Sequence, residues 1–519
     1  MKFESKIFYL TDFLKKNKVI LFNPRSAKYK HRIPNSILQV GASIHGIFDY
    51  VFVDGNMETD PWKKIESYLL TGEYSYFGCT VMPGPQLKEA IPFSKNIKKQ
   101  FPEVTVVWGG YFSSNQYQVC LDSGYVDFAI NGPGDHTFPL LLKELNEGKS
   151  NFSEIKNLIY KNNDGDIVKT AKQNLPQMDK LPALPYDYFN QFYPIKNYLG
   201  KTFLGDKTLS YHSSFGCPFT CSFCAVVPIY NARWKGFSAQ RIFDDVMVLK
   251  EKYGADSIEF HDNNFFTSRK RVIEFSKLIL NEGISWWGEG RIDTINKYSD
   301  EDLELMYKAG CKMIFLGAET GNDEVLKQMD KGGTQTGAQI KEFAKRMGRI
   351  GIIPEMSFVL GMPASTEDEV LKQINFDINF IREIKNINPD TEIIIYMYSP
   401  VPTEGSELYD QIKAIGFEFP QKLEDWLNPA WENFDLRKNP LTPWLTPKLV
   451  DKVKNFEVVL NGYHPTATDI RIKGAKKAIM RGISSIRYKL GIYNYPLEIK
   501  AIHKFWKYRQ PEIEGFYKE

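Results

Sequence analysis

Two series of short apolar segments alternate with stretches of helical periodicity along the chain. In the first series, runs rich in Val, Ile and Phe predict five strands, at 19–23, 50–55, 76–82, 104–110 and 127–132. Segments with apolar residues at helical spacing lie between them and predict helices at 37–47, 86–101 and 138–147. Apolar strands that alternate with helices are typical of a parallel sheet covered on both faces. Residues 1–148 are therefore predicted to form a doubly wound, Rossmann-like α/β domain.

The second series predicts a larger α/β domain. Its strands are expected at 209–214, 257–261, 285–291, 312–318, 353–361 and 392–398. Clear helical patterns at 239–253 and 367–387 separate some of them. Six strand–helix units fall short of the eight of a closed barrel, so residues 208–400 are predicted to form a partial, open (β/α)6 barrel of the TIM type.

The remaining segments are predicted to be a linker and a C-terminal extension. Residues 149–207 are polar and loop-like, with a hairpin-type turn in NNDGD at 162–166. Residues 401–519 are rich in loops, Trp and Pro at first, and become mostly helical after 447.

Small and polar residues cluster where the strands of the first domain end. They are Asn23, Pro24, Thr80, Gly109, Gly110, Gly132 and Gly134. Glycine at such positions can serve turn geometry alone. Because ligands of doubly wound sheets lie beyond the carboxyl ends of the strands, glycine at several of these ends favours a ligand site there.

Composition and charge exclude several classes of protein. Hydrophobic residues make up 43% and charged residues 25% of the 519 residues, as in an ordinary globular protein. The net charge is +3, yet residues 471–510 contain eleven Lys or Arg against one acid, Glu498. The excess of positive over negative charge is thus confined to one segment, and nucleic-acid binding is not expected. The start of the chain lacks a secretory signal pattern and no run of 18 apolar residues occurs, so a cytoplasmic location is expected.

Three of the six cysteines lie within eight positions, in the sequence FGCPFTCSFC. Cys217, Cys221 and Cys224 follow the first strand of the second series. Thiolates are soft ligands that suit iron–sulfur clusters or zinc.

The number of ligands separates these two metals. A structural zinc site normally has four protein ligands. His212 lies within a predicted strand and is a weak candidate for the fourth, and the remaining cysteines are isolated on other elements: Cys79, Cys120 and Cys311. Three thiolates favour a cube cluster in which one iron stays open to a substrate or cofactor.

The C-x3-C-x2-C spacing, with the aromatic Phe223 before the third cysteine, resembles the signature of the radical S-adenosylmethionine (SAM) enzymes. The resemblance implies a [4Fe-4S] cluster on the three cysteines, SAM as cofactor, and an external one-electron reductant of the flavodoxin or ferredoxin type. It also implies SAM-binding roles for residues at the ends of the barrel strands. These are Phe223 and Gly361 near the adenine, Asn263 at the amino group, Arg291 at the carboxylate, and Glu319 at the ribose or amino group.

The order of domains resembles the cobalamin-binding subfamily of these enzymes. The matching stretches are RIPNSILQVGASI (32–44), VWGGYFSS (107–114), NGPGDHTFPLLL (131–142) and DKLPALPYD (179–187). The resemblance implies that the corrin rests on the carboxyl edge of the first sheet. The implied cobalamin-binding residues are the strand-end residues Asn23, Pro24, Thr80, Gly109, Gly110, Gly132 and Gly134.

The first loop departs from the D-x-H-x-x-G pattern that supplies a cobalt ligand in many cobalamin domains. It reads Asn23-Pro24-Arg25-Ser26-Ala27-Lys28 and contains no His. Neither His31 nor His45 is well placed to replace that ligand. We therefore expect either cobalamin without a His on cobalt or a domain that binds no cobalamin.

Two classes of function remain. The first is an enzyme that uses the cluster, SAM and cobalamin, most commonly to methylate an unactivated carbon of a small-molecule, lipid or natural-product substrate; oxidative cyclisation and ring rearrangement are the alternatives within this class. The second is a non-catalytic cobalamin or iron–sulfur binding protein, which would not need Phe223, Arg291 and Glu319. A methylthiotransferase fits less well, because its N-terminal domain needs three more cluster cysteines and this one has two. The sequence identifies neither a catalytic residue nor the substrate.

The basic C-terminal segment has the pattern of an amphipathic helix. Apolar residues recur at helical spacing among its Lys and Arg, at Ile472, Ala475, Ile479, Ile483, Ile486 and Leu490. We expect this apolar side to pack on the barrel and the charges to face water. Attachment to an anionic membrane is the less favoured alternative.

Overall fold

The computed structural model describes residues 17–26, 32–331, 334–402, 407–435, 442–468 and 472–506. The chain divides by its contacts into two compact units. The first comprises the described residues within 1–198, 228–235 and 419–432, and the second those within 199–227, 236–418 and 433–519.

The first unit is built on a seven-stranded sheet in the order β2-β1-β3-β4-β5-β6-β7. Its strands are β1 (Lys18–Asn23), β2 (Tyr50–Asp54), β3 (Tyr74–Thr80), β4 (Thr105–Gly109), β5 (Phe128–Ile130), β6 (Leu158–Lys161) and β7 (Ile167–Lys169). Its helices are α1 (Asn35–Ile44), α2 (Pro61–Leu69), α3 (Leu87–Gln100), α4 (Tyr111–Asn115), α5 (Tyr117–Asp122), α6 (Thr137–Asn146) and α7 (Tyr186–Phe192).

Strands β1 to β5 are parallel, and the predicted doubly wound α/β fold is confirmed. The sheet continues beyond the prediction, because β6 and β7 add to its edge as an antiparallel hairpin. The NNDGD segment makes the hairpin turn as expected, with the amide of Asn162 donating to the carbonyl of Asp166 at 2.9 Å and Gly165 at φ +87°. Part of the predicted linker is therefore sheet.

The second unit contains a six-stranded parallel sheet in the order β15-β14-β13-β12-β11-β8, which confirms the predicted open barrel. The strands that follow β7 along the chain are β8 (Thr208–Tyr211), β9 (Ser214–Gly216), β10 (Trp234–Gly236), β11 (Ser257–Phe260), β12 (Ser285–Gly290), β13 (Cys311–Glu319), β14 (Ile353–Leu360) and β15 (Glu392–Met397). The helices up to β15 are α8 (Val226–Tyr230), α9 (Ala239–Tyr253), α10 (Arg269–Ile279), α11 (Ile292–Ile295), α12 (Asp300–Lys308), α13 (Asp323–Gln328), α14 (Gly337–Ile350) and α15 (Glu367–Ile387).

Local signals fix the ends of the barrel helices. Helix α9 begins after Ser238, whose side chain accepts a hydrogen bond from the amide of Arg241, and it ends at Gly254, which is left-handed. Helix α15 begins after Thr366, which caps the amide of Glu369 in the same way. Both helices have the bounds that the apolar periodicity predicts.

The chain after β15 forms α16 (Glu407–Ala414), α17 (Pro429–Asp435), α18 (Pro447–Tyr463), α19 (Ala475–Leu490) and α20 (Leu497–Trp506). The prediction of helices after 447 is confirmed. Helices α18 and α19 approach closely at Gly462, where an added Cβ would lie 2.2 Å from the hydroxyl of Ser484. None of the described helices combines the length and the hydropathy that a membrane-crossing segment needs.

The expected orientation of the basic helix is wrong. Helix α19 buries Met480, Ser484 and Tyr488. The apolar series that was expected to pack inward is exposed at four positions: Ile479, Ile483, Ile486 and Leu490. Only Ile472, before the helix begins, is buried as expected.

Candidate active site

The three motif cysteines lie on one loop that follows β9. Cys221 is buried, and Cys217 and Cys224 are half-buried. The loop is fixed between these sulfurs by Ser222, whose amide donates to the carbonyl of Met329 at 3.2 Å and whose hydroxyl donates to the carbonyl of Gln328 at 3.1 Å. These two hydrogen bonds hold the loop against the end of α13.

Arg291, which follows β12, faces the cysteine loop. Its Nη1 lies 3.0 Å from the Sγ of Cys221, and its guanidinium carbon lies 3.8 Å from the centre of the Phe219 ring. Its Nε and Nη2 donate to the two carboxylate oxygens of Asp293 at 2.9 and 2.8 Å. Both partners of this ion pair are 6% exposed, so the cation is positioned by a buried, bidentate contact.

The charge of this pair is fixed by its surroundings. Burial alone would lower the pKa of Arg291, but the hydrogen bond to Asp293 and the neighbouring Cys221 and Cys217 raise it above its ordinary value. Burial would likewise raise the pKa of Asp293, yet the hydrogen bond and charge of Arg291 lower it overall. A permanent positive charge therefore lies beside the two sulfurs.

Asn264 is the asparagine of the HDNNFF segment that faces the cysteines. Its Nδ2 lies 3.9 Å from the Sγ of Cys217, and its Oδ1 is buried without a hydrogen-bond partner. Asn263, the residue selected from the sequence, is exposed. A buried amide oxygen with no partner is costly and marks a position where a bound group could donate a hydrogen bond.

Glu319 ends β13 in a left-handed backbone conformation, with φ +64°. Its carboxylate is buried and lies 2.6 Å from the Nζ of Lys331, which also donates to the carbonyl of Gly317 at 2.9 Å. The same ammonium lies 5.9 Å from the centre of the Phe223 ring. Sequence reasoning missed Lys331, which lies in a loop with no pattern that points to a site.

Gly361 follows β14 with φ +80°, where only glycine is unstrained. Its carbonyl accepts a hydrogen bond from the indole of Trp444 at 3.0 Å, and an added Cβ would lie 2.6 Å from the side chain of Leu445. A side chain is therefore excluded at this strand end, and the segment 442–446 covers it.

These residues fit an iron–sulfur cluster by their donor chemistry. Burial raises the pKa of the Cys217 thiol, and the neighbouring Cys221 adds to this effect. Within the described part of the chain, no three or more Cys, His, Asp or Glu side chains are gathered as a ready-made metal site. Three thiolates on one loop are nevertheless the donor set that suits an iron–sulfur cluster with one open iron.

The first unit has a polar network at the carboxyl ends of β1 and β2. The amide of Asn23 donates to the carboxylate of Asp54 at 2.9 Å. The amide of Gln86 donates to the Asn23 side chain at 3.2 Å and to the carbonyl of Pro24 at 3.0 Å. The side-chain amide of Asn23 and the carbonyl of Pro24 therefore already have hydrogen-bond partners within the protein.

Two tyrosines of the predicted linker complete this network. Tyr198 donates to the carboxylate of Asp54 at 2.6 Å, and the amide of Asp54 donates to the hydroxyl of Tyr193 at 3.1 Å. Burial raises the pKa of Asp54, although these hydrogen bonds oppose the rise. The network therefore links the predicted linker to the carboxyl ends of β1 and β2.

The ends of β3 and β4 leave room for a ligand. Thr80 ends β3, and its hydroxyl would lie 3.3 Å from a Cβ added to Gly110, which has φ +97°. A Cβ added to Gly109, in contrast, would meet no protein atom within 4 Å. Gly109 therefore borders open space at the strand edge.

The loop after β5 contains Gly132 at φ +129° and Gly134, whose added Cβ would lie 3.3 Å from Val40. Asp135 follows, and its Oδ1 is buried without a hydrogen-bond partner. Burial raises the pKa of Asp135 to about 6, although a hydrogen bond from the side chain of Gln39 to its carboxylate opposes the rise. The open edge at Gly109 fits a large polar ligand such as cobalamin.

Histidines near this edge are few among the described residues. His45 lies at the amino end of β2, where its Nδ1 is 2.9 Å from the hydroxyl of Tyr50, and it is therefore turned away from the carboxyl edge. His31 lies outside the described residues. His136 is exposed and lies in the same loop as Gly132 and Gly134.

Residues 211–376 match the family model described as the radical SAM superfamily. An uncharacterized methyltransferase of Pyrococcus horikoshii is 26% identical over 346 residues, which are 66% of this chain and 72% of that protein. Cytidylyl-2-hydroxyethylphosphonate methyltransferase of Streptomyces wedmorensis is 21% identical over 78% of this chain and 83% of its own length. Anaerobic magnesium-protoporphyrin IX monomethyl ester cyclase of Rubrivivax gelatinosus is 23% identical over 80% of this chain and 70% of its own length.

Two solved structures share the fold over nearly the whole chain. OxsB, a cobalamin-dependent S-adenosylmethionine radical enzyme solved with aqua-cobalamin and S-adenosylmethionine, superposes with a TM-score of 0.67 at 16% identity, over 96% of this chain and 76% of OxsB. TsrM of Kitasatospora setae, a radical S-adenosylmethionine methyltransferase solved with cobalamin and a [4Fe-4S] cluster, gives 0.65 at 15% identity, over 95% of this chain and 99% of TsrM.

Proposed function

We propose that this chain is a radical SAM enzyme that transfers a methyl group from SAM, by way of cobalamin, to an unactivated carbon of a small-molecule, lipid or natural-product substrate. The single observation that carries the proposal is the combination of a motif cysteine 3.0 Å from a buried arginine in one unit and an open, glycine-bordered strand edge in the other. When bound, the cluster would supply an electron to SAM, and cobalamin would carry the methyl group.

The residues around the cysteine loop would hold the cluster and SAM. Cys217, Cys221 and Cys224 would ligate three irons and leave the fourth open. Arg291 would keep its positive charge at physiological pH and attract the carboxylate of SAM, because Asp293 fixes its orientation with two of its five N–H donors and leaves others free to donate. The buried Oδ1 of Asn264 would accept a hydrogen bond from the amino group of SAM.

Glu319 and Lys331 would serve SAM as a pair. Lys331 bonds one carboxylate oxygen of Glu319, which leaves the other able to accept hydrogen bonds from hydroxyl or amino groups. Phe223, beside Lys331, would offer an aromatic face to the adenine. An external one-electron reductant of the flavodoxin or ferredoxin type completes the proposal.

The strand ends of the first unit would hold cobalamin. Gly109 would let the cofactor approach the backbone, since no protein atom occupies the space of its missing side chain. Thr80, Gly110, Gly132 and Gly134 would offer backbone and hydroxyl groups around it. Asn23 and Pro24 would act by shape, because their polar atoms already bond to Asp54 and Gln86.

Oxidative cyclisation is the second candidate, and the similarity to anaerobic magnesium-protoporphyrin IX monomethyl ester cyclases favours it specifically. The two reactions differ in what the substrate gains or loses. A methyl transfer adds a carbon that comes from SAM, whereas an oxidative cyclisation removes hydrogens and adds no carbon.

The test uses SAM with a deuterated methyl group. The protein is reconstituted anaerobically with iron, sulfide and cobalamin, supplied with a reductant, and incubated with a metabolite extract from a strain that lacks this chain. We expect mass spectrometry to find a compound that gains the labelled methyl group. A compound that loses hydrogens without gaining the label would establish the cyclase instead.

Two cysteine variants provide the matched control. Cys221→Ala should lose the cluster iron and all labelled product, because two thiolates cannot hold a cube cluster with one open iron. Cys311→Ala removes a buried cysteine outside the motif and should retain both. Retention of iron and SAM cleavage by Cys221→Ala would show that the motif does not hold the cluster.

A further inference from the structure

The C-terminal helices present a surface that the proposed reaction does not use. We propose that α19, α20 and the segment between them, residues 475–506, bind the surface of anionic lipid membranes. We call this region the C-terminal surface. The proposal is independent of the reaction that the enzyme catalyses.

Exposed apolar side chains are concentrated in this region. Seventeen large hydrophobic side chains are exposed among the described residues, and eight of them lie between 479 and 505. These eight are Ile479, Ile483, Ile486, Leu490, Ile492, Tyr495, Leu497 and Phe505. A concentration of this kind marks an interaction surface, whereas single exposed apolar residues do not.

Four of them form a continuous stripe on α19. Ile479, Ile483, Ile486 and Leu490 follow one another at spacings of four, three and four residues, which places them on one face of a helix. The opposite side of the helix is already used, because Met480, Ser484 and Tyr488 are buried. Helix α19 therefore cannot rotate to bury the stripe without exposing its packed face.

Helix α20 lies beside this stripe. The ammonium of Lys476, at the start of α19, is 5.9 Å from the Trp506 ring at the end of α20. Arg487, near the end of α19, donates to the carbonyl of Asn494 at 2.8 Å and pairs with Glu498 at the start of α20. The inner side of α20 is occupied by Ile499, which is fully buried, so its exposed apolar residues extend the same surface.

The charges of the C-terminal surface select an anionic partner. Residues 472–506 contain eight Lys or Arg and a single acid, Glu498, and that acid is already paired with Arg487. Lys476 and Lys489 are exposed on either side of the apolar stripe. An apolar stripe flanked by lysines is the pattern of helices that lie in the interface of anionic bilayers.

Other occupants fit these observations less well. A second copy of the chain would bring the same positive charge against itself. A nucleic acid would neutralise the lysines but leave the isoleucines in water. A membrane with anionic headgroups satisfies both sets of side chains at once.

The experiment is a vesicle flotation assay with the full-length reconstituted protein. Vesicles of phosphatidylcholine alone are compared with vesicles that also contain phosphatidylglycerol, at low and at high salt. We expect the protein to float with the phosphatidylglycerol vesicles at low salt, and this binding to weaken as salt screens the lysines.

Two variants test the two components of the surface. Ile486→Gln/Leu490→Gln should reduce the bound fraction at least about tenfold, because each apolar side chain that enters the interface contributes strongly to partition. Lys476→Gln/Lys489→Gln should weaken binding and lower its salt dependence. Ile47→Gln is the matched control, since Ile47 is 70% exposed and Ile486 69%, and it should bind as the unmodified protein does.

Three results would overturn the proposal. The first is no flotation at low salt with either type of vesicle. The second is undiminished binding of Ile486→Gln/Leu490→Gln. The third is a change of that variant from oligomer to monomer in the absence of lipid, which would show that the stripe joins copies of the chain.

Discussion

Lys331 shows what the sequence could and could not reveal about single residues. The three cysteines could be predicted because their ligand spacing is local, and Arg291 because it follows a predicted strand. Lys331 could not, since its contact with Glu319 depends on how the loop after α13 folds back on β13. The sequence predicts Asn263 as the SAM-binding asparagine, whereas Asn264 is the one that faces the cysteines. The two adjacent asparagines have the same chemistry, and only the path of the loop determines which of them points inward.

A first prediction concerns the Glu319–Lys331 pair. Lys331→Met should lower the free energy of unfolding by roughly 3 kcal/mol, because it leaves a buried carboxylate unpaired. The double variant Lys331→Met/Glu319→Gln removes the charge as well and should regain most of that loss. Urea titrations of the cluster-free protein measure both. A double variant as unstable as the single one would mean that the pair is not energetically coupled.

At the scale of elements, apolar periodicity predicts where strands and helices lie, but it does not predict which face of an element packs or which elements it packs against. The parallel strands and the bounds of α9 and α15 follow from short-range pattern. The β6–β7 hairpin lies in the predicted linker because its strands, of four and three residues, are too short to give a clear alternating pattern. The predicted orientation of α19 is wrong because the face with more isoleucines is not the face that packs. The buried face consists of Met480, Ser484 and Tyr488, and Ser484 lies against Gly462 of the neighbouring helix.

A second prediction concerns the contact between α15 and the turn after β13. The carboxylate of Asp377 accepts hydrogen bonds from the hydroxyl of Thr320 at 2.7 Å and the amide of Gly321 at 3.0 Å. Burial nevertheless raises its pKa to about 6. Between the ordinary aspartate pKa of about 3.9 and this value, the folded state holds the proton more tightly than the unfolded state, so stability falls as pH rises.

Asp377→Asn removes this pH dependence and keeps an oxygen that can accept both hydrogen bonds. The variant should therefore gain stability relative to the unmodified protein as pH rises through this interval, by roughly 2–3 kcal/mol above pH 6. Thermal unfolding of the cluster-free proteins across the interval measures the difference. A difference that stays constant with pH would show that folding does not raise the pKa of Asp377.

At the scale of the whole molecule, the order of a doubly wound domain, an open barrel and C-terminal helices could be predicted from sequence alone. The assignment of residues to compact units could not. Residues 228–235 and 419–432 belong to the first unit although they are distant from it in sequence. Trp426 explains part of this, because it packs on Phe112 with ring centres 5.0 Å apart, a contact between residues more than three hundred positions apart that no local pattern encodes.

The enzyme is proposed to work with cobalamin that lacks a histidine ligand, and paired variants isolate that cofactor's site. Gly109→Val should abolish cobalamin binding, because it fills the open space at the end of β4. Gly200→Val is the control, since an added side chain there also meets no protein atom within 4 Å. Both variants should fold, and only Gly109→Val should fail to retain cobalamin after gel filtration.

The most direct test of the account is the paramagnetic resonance spectrum of cobalt(II) in the reduced, cobalamin-loaded and desalted protein. We expect a cobalt(II) signal that survives desalting and shows no nitrogen superhyperfine splitting from the lower face, because no described histidine except the exposed His136 lies in the strand-end loops of the first unit. A desalted protein without a cobalt signal would contradict the cobalamin-dependent reaction, and a nitrogen-split spectrum would contradict the unligated cobalt, whether the nitrogen comes from His136 or from the cofactor's own base.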